Sequence, residues 1–436
     1  MGQTMTGNRR KAVWLGSAVV VAAAAVLTTP LFATARSTGP GRTPDAGWHT
    51  SWAQSQQMQA PTPLQDQSAR MITHLSQGGD AMRIRIQNQF GMMPLTVDAA
   101  AVALTRGQGP AEVPGTSRAV TFGNGRRSVT VPAGGQAWSD PVGLPTRPQD
   151  NVAVSLFVPG TEQAGQHNSA LRDNYLTAPG AGNHVGDVSG AAFTQTVTST
   201  YLVSAVDVHN PRLIGTIVAF GSSIVDGTGS TNCGPGCTVT GNNQRWADDL
   251  ARRIGSELPA DRQLAIANEG IGGTTSAVGC PAEPDAVKGL EAGPRLSRDV
   301  LALHGVTAVI FYYGTNDLQD NCTSTQILDS YRPVFQRLHA AGIKVYVVAT
   351  TPRPIYNDQM NQFRWDVDNY TMNQNDCGGA CDGVIDFSQV IEQPLNPNAI
   401  NLAYDNGDGI HVNIAGQAAE ASTVPLAMLV SSANSR

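Results

Sequence analysis

The chain has 436 residues, enough for two domains that each bury a core of their own. Hydrophobic residues make up 41% and charged residues only 14%, with 46 glycines and 26 prolines, which excludes a disordered or coiled-coil chain and points to a loop-rich globular one. The 28 basic and 34 acidic residues leave a net charge of −6 with no basic stripe, which speaks against a nucleic-acid partner.

The first segment is not fold. Arg9, Arg10 and Lys11 precede an apolar run over residues 12–27, and Ala33-Thr34-Ala35 follows as a small-x-small cleavage site. That order is a secretory signal peptide over residues 1–35, so a secreted protein is expected, its mature chain starting near Arg36. A retained anchor is the alternative, but the run is shorter than the ~20 residues of a membrane span. Arg9-Arg10 hints at a twin-arginine signal, and no cysteine follows that would carry a lipid. Residues 36–47 read as a Gly/Pro-rich linker.

From 48 to 210 the pattern has period two. Residues 82–87, Met-Arg-Ile-Arg-Ile-Gln, alternate as a half-buried strand does. Residues 118–122 and 128–131 flank Gly123-Asn124-Gly125, a hairpin signal, and 152–158 and 196–208 add further strands. Short strands with turn signals between them predict an all-β sandwich or jelly roll.

After Pro211 the texture changes. Strand-like runs at 214–220, 264–267, 306–313, 345–350 and 384–387 alternate with helical patterns. Trp246, Leu250, Ile254 and Leu258 recur every fourth residue, 296–303 and 327–341 are helix-like, and a last helix follows Asn413. This alternation predicts βαβ units, a mainly parallel sheet and a site at the strand ends, over residues 211–436.

All six cysteines, at 233, 237, 280, 322, 377 and 381, lie in this second half. An even number in an exported chain favours disulfides, with fifteen pairings possible. Zinc is the rival, but the spacing is not C-x-x-C and no histidine stands nearby in sequence.

Four strand ends or loops carry candidate chemistry. Gly221-Ser222-Ser223 follows the first strand, and a serine there either projects its hydroxyl above the sheet or caps a turn. Asn268-Glu-Gly-Ile-Gly-Gly lets backbone amides approach a ligand or simply turns; it lacks the lysine and spacing of a phosphate loop. Asn316, in Gly314-Thr-Asn-Asp, is a neutral donor suited to an oxyanion, or an Asx turn. Asp408 stands three residues before His411, where it can reach one ring nitrogen and leave the other free as a base.

In order and placement these blocks resemble those of the SGNH (GDSL-type) hydrolases, across roughly residues 213–434. The N-terminal β region followed by such a domain resembles a bacterial branch of exported esterases, some related to carbohydrate acetylesterases. The resemblance implies a flavodoxin-like three-layer α/β/α hydrolase domain, with Ser223 as nucleophile, His411 as base and Asp408 orienting it. It implies an oxyanion hole made by the N–H groups of Ser223 and Gly273 and the side chain of Asn316. Ser222 departs from the family, which usually has aspartate before the nucleophile. No G-x-S-x-G elbow occurs, which argues against an ordinary α/β-hydrolase.

The implied topology brings the loops of Cys280 and Cys322 to one sheet edge, so the expected bridges are 233–237, 280–322 and 377–381. No metal or organic cofactor is expected. The substrate is expected to be a small-molecule, carbohydrate or lipid ester, the working form a monomer without stable membrane insertion. A lipase or phospholipase of the same family, or a catalytically weak carbohydrate-binding protein, is the alternative.

Overall fold

The computed structural model describes residues 45–433, all within one compact unit. The signal peptide expected over 1–35 and most of the 36–47 linker lie outside the described residues.

Residues 48–209 form two main antiparallel sheets. One orders its strands Trp48–Ala53, Val203–His209, Ala81–Gln87 and Gln136–Trp138. The other centres on two long neighbours, Leu64–His74 and Asn151–Glu162, paired from Asn151↔His74 to Glu162↔Leu64 with one bulge between Val158 and Thr161. Apolar side chains of both sheets, among them Met71, Ile84, Val102, Val154 and Val206, share one core.

Three details differ from the pattern reading. Gly123-Asn124-Gly125 closes only the single bridge Phe122↔Arg126, and the flanking strands, Arg118–Val120 and Val129–Val131, pair elsewhere. The 196–208 run is broken into three strands, once between Val197 and Thr200 and again at Leu202, whose φ is +60°. The strand Ala81–Gln87 is not half-buried: Arg85 is 0% exposed and Arg83 9%, because its polar face meets protein rather than water.

The second region holds five parallel strands: β1 (Gly215–Gly221), β2 (Leu264–Gly270), β3 (Val306–Tyr312), β4 (Lys344–Val348) and β5 (Gly383–Ile385). Their order is β2-β1-β3-β4-β5, that of a flavodoxin-like sheet. Alternate residues serve opposite faces. Val218, Phe220, Val309 and Phe311 pack with Leu296 of α3 (Ala292–Asp299) and Phe335 of α5 (Ser324–Ala340). Ile217, Ala219 and Ile310 pack with Trp246 and Leu250 of α2 (Trp246–Glu257) and Leu429 of α9 (Leu426–Ala433). Three layers result.

The helix expected over 296–303 starts earlier and ends at Asp299, since Pro294 sits in its first turn, where a missing N–H costs nothing. The final helical stretch is two helices, α8 (Ile414–Thr423) and α9, parted at Pro425. An unforeseen helix, α6 (Asp358–Thr371), buries only Arg364, Val367 and Thr371, too thin a stripe to show as periodicity.

β2 is an edge strand, and an unpaired edge invites pairing with another chain. The β region covers it with side chains: Ser76 Oγ donates to Ile266 O and accepts from Ile266 N, both at 2.9 Å, and Gln77 Nε2 donates to Leu264 O at 3.2 Å.

Candidate active site

β1 ends at Gly221, and the chain turns at once into α1 (Ser223–Asp226), a single helical turn that begins with Ser223. β2 lies so close beneath it that a Cβ on Gly270 would stand 2.1 Å from the Asp226 amide nitrogen; only glycine fits there.

Every carbonyl of the turn has a partner. Gly221 O accepts from Arg295 Nη2 at 2.7 Å, Ser222 O from Asp226 N at 2.9 Å, and Ser223 O from Gly227 N at 2.9 Å. Ile224 O accepts from Trp246 Nε1 at 3.2 Å, Val225 O from Asn268 Nδ2 at 2.6 Å, and Asp226 O from Arg245 Nε at 2.6 Å. A backbone so fully paired leaves Ser223 little freedom. Ser222 is buried, and its side chain makes no capping bond to α1.

Beyond α7 (Ser388–Ile391) and a short hairpin over 392–400, the loop before α8 brings in the histidine. His411 Nε2 lies 2.8 Å from Ser223 Oγ, and His411 Nδ1 lies 2.7 Å from Asp408 Oδ2. Asp408 Oδ1 accepts from the backbone N–H groups of Ile410 and His411, both at 2.8 Å, so one oxygen shapes the turn and the other holds the ring. Gly409 makes this turn possible: its φ is +70°, and a Cβ would meet Pro354 Cγ at 2.7 Å.

Burial works to raise the Asp408 carboxyl, but its bonds from His411 and the two backbone N–H groups prevail and hold it below the ordinary value. Burial lowers His411 and outweighs Asp408, which raises it; Arg353 pushes it further down and Asp226 pushes it up. The net direction is down. Arg353 is itself buried and fixed by Gln319 Oε1 at 2.6 Å and Thr315 Oγ1 at 2.9 Å.

Asn316 sits in α4 (Thr315–Gln319), just past the end of β3. Its Nδ2 donates to Thr274 O at 2.9 Å, which lays it against the glycine turn after β2. That turn borders the serine: a Cβ on Gly272 would lie 3.8 Å from Ser223 Cβ, and Gly273 follows with φ +80°. Asp317 locks the two turns together, accepting from Ser276 Oγ at 2.7 Å, Ala277 N at 2.8 Å and Gly314 N at 3.1 Å. Cys280 and Cys322 form a disulfide across the same two loops, while Cys233–Cys237 and Cys377–Cys381 close locally.

The structure thus draws Ser223 to the Asp408–His411 pair, His411 lying 188 residues further along the chain, in one line of bonds, with Asn316 and Gly273 on adjoining turns. A single apolar-polar alternation could not reveal Arg295, Arg245 or the contact of Asp226 with His167, which hold the serine turn from behind. The sequence signal the two arginines share is that each stands directly before an apolar helix residue, Arg245 before Trp246 and Arg295 before Leu296. Among the described residues, no group of three or more His, Cys, Asp or Glu side chains is placed to hold a metal ion, and no helix is long and apolar enough to cross a membrane.

No curated protein matches the chain. Solved structures similar to it include the M. smegmatis aryl esterase, at 21% identity over 48% of this chain and 95% of that one, with a TM-score of 0.35. A carbohydrate acetylesterase from Sinorhizobium meliloti matches at 19% identity over 48% of this chain and 94% of its own, TM-score 0.35. A GDSL-like lipase from Bacteroides thetaiotaomicron matches at 15% identity over 50% and 88%, TM-score 0.33. The family model that matches is the GDSL-like lipase/acylhydrolase family, over residues 219–419. Those residues include Ser223, Asn316, Asp408 and His411, and over them this chain carries a domain of the GDSL-like lipase/acylhydrolase family.

Proposed function

We propose that the protein is a secreted serine esterase that hydrolyses carboxylic esters through an acyl-enzyme on Ser223. The observation that carries this reading is the run Asp408–His411–Ser223, with spacings of 2.7 and 2.8 Å. Ser223 Oγ attacks the ester carbonyl while its proton passes to His411 Nε2, and Asp408 holds the other ring nitrogen and steadies the imidazolium. The oxyanion is met by the N–H groups of Ser223 and Gly273 and by Asn316 Nδ2. His411 then returns the proton to the departing alkoxide. Water, deprotonated by the same nitrogen, cleaves the acyl-enzyme and frees Ser223.

No step needs a metal or organic cofactor. Three disulfides and the charged-apolar-small N-terminal pattern support export to an oxidising compartment. The resemblance to exported esterases makes acetylated carbohydrate the first substrate class to examine.

Purified protein should turn over p-nitrophenyl acetate, and Ser223→Ala and His411→Ala should each lower the rate by about 10⁴-fold or more, the double variant losing no more than either single one. A Ser223→Ala protein with near-normal turnover ends the assignment. A series of esters from acetate to palmitate, beside acetylated xylan, then fixes the acyl and alcohol preference.

A further inference from the structure

A helix of one turn cannot hold itself in place. α1 is such a helix, and both ends of its turn are held by groups that have an anchor in the N-terminal β region, Arg295 being held by Asp299 and Tyr313 of the second region as well.

At the far end, Asp226 Oδ1 is 3.2 Å from His167 Nε2, and His167 belongs to the short strand Gly165–His167. The His167 ring is buried. Its Nδ1 lies 2.9 Å from Ser55 O, and its Nε2 also lies 3.1 Å from Ser169 O, so each ring nitrogen faces oxygens alone. The Asp226 carbonyl is held by Arg245, whose Nη2 donates to Ala170 O at 2.7 Å, again in the β region.

At the near end, the Gly221 carbonyl is held by Arg295 Nη2. Arg295 Nη1 donates to Ser55 Oγ at 3.3 Å and to Glu269 O at 2.7 Å. Ser55 Oγ in turn donates to the Glu269 carboxylate, which also faces Arg85 at 3.5 Å. All of these groups are buried. Ser55 is therefore a shared node: its carbonyl reaches Asp226 through His167, and its hydroxyl reaches Gly221 through Arg295.

We propose that Ser55 and His167 are positioning residues for Ser223, and that the β region is a working part of the esterase site rather than an appended binding module. This rests on the serine-esterase reading above. The physical warrant is the steepness of catalysis with geometry, where a shift of about 1 Å in a reacting group costs on the order of 10²-fold in rate. Asp226 adds a second channel. It faces His167 on one side, and its charge acts on His411 alongside those of Asp408 and Arg353. Losing the Asp226 charge therefore moves the base as well as the nucleophile.

The test uses the full chain with p-nitrophenyl acetate, in the wild type and in His167→Gln, Asp226→Asn, Ser55→Ala and the His167→Gln/Asp226→Asn double variant. The expected result is a fall of about 10-fold or more in kcat for His167→Gln, with KM within about twofold, and a double variant no worse than its worse single. Asp226→Asn should also move the acid limb of kcat/KM to lower pH, because the carboxylate that favours protonated His411 is gone. Should His167→Gln fail to fold, Asp226→Asn and Ser55→Ala carry the same comparison. Variants that melt earlier but keep wild-type kcat, KM and acid limb would show a purely structural tie and overturn the proposal while leaving the esterase reading intact. A wild-type protein inert towards every ester would overturn both.

Discussion

Truncating Asn316 separates a catalytic contribution from a structural one. In the folded protein one hydrogen of its amide is spent on Thr274 O at 2.9 Å, which leaves the second for the oxyanion. A preorganised donor aimed at a developing oxyanion contributes about 2.7–4 kcal/mol in the transition state, so Asn316→Ala should lower kcat by about 10²–10³. The structural loss is far smaller. Breaking the neutral bond to Thr274 costs about 1 kcal/mol. At about 2.1 cal/mol/K of unfolding entropy per residue, a unit of this size shifts its Tm by only ~1 °C for that loss. The measurement is kcat and KM on p-nitrophenyl acetate, with the acylation burst followed by stopped flow and Tm by calorimetry. A fall in kcat with steady KM and Tm is expected. A loss confined to KM, or a kcat within about tenfold of wild type, would mean that Asn316 binds substrate or merely braces the glycine turn.

Two further outcomes follow from the same geometry. Because burial holds His411 below its ordinary value of 6.5, the acid limb of kcat/KM should lie below that pH. His411 is free to act as base above the limb and is lost to protonation as pH falls through it, and a limb at or above 6.5 would contradict the site's electrostatics. Replacing both Cys280 and Cys322 by alanine opens a cross-link spanning 42 residues, worth up to about 4 kcal/mol by loop entropy. Denaturant unfolding should show most of that loss, and activity should fall at denaturant concentrations where the fold persists; unchanged stability and activity would show that the hydrogen bonds of Asp317 suffice to lock the two loops.

The sequence alone determined the parts that local chemistry dictates. Apolar runs located the five parallel strands, which are buried on both faces, and helical spacing located α2 and α5, while alternation located only part of the β region and missed Trp48–Ala53 and Leu64–His74. The Asp408-Gly-Ile-His411 spacing was legible as well: a three-residue turn with glycine inside it is a local device. The pairing of Cys280 with Cys322 needed one step more, since only the strand order of the sheet brings their loops to one edge. What tertiary structure alone decided is who stands behind the nucleophile. Arg83 and Arg85 alternate with Met82, Ile84 and Ile86 as solvent-facing residues would, yet both are buried, Arg83 on Asp207 at 2.8 Å and Arg85 on Ser204 at 2.7 Å. Periodicity reports which face of a strand is polar but not whether water or another polar surface covers it. The same blindness hid Ser55, His167 and Arg295, whose partners lie 214, 59 and 74 residues away along the chain at Glu269, Asp226 and Gly221. Those contacts exist because the β region closes over the edge of β2, and no local pattern encodes the meeting of two surfaces.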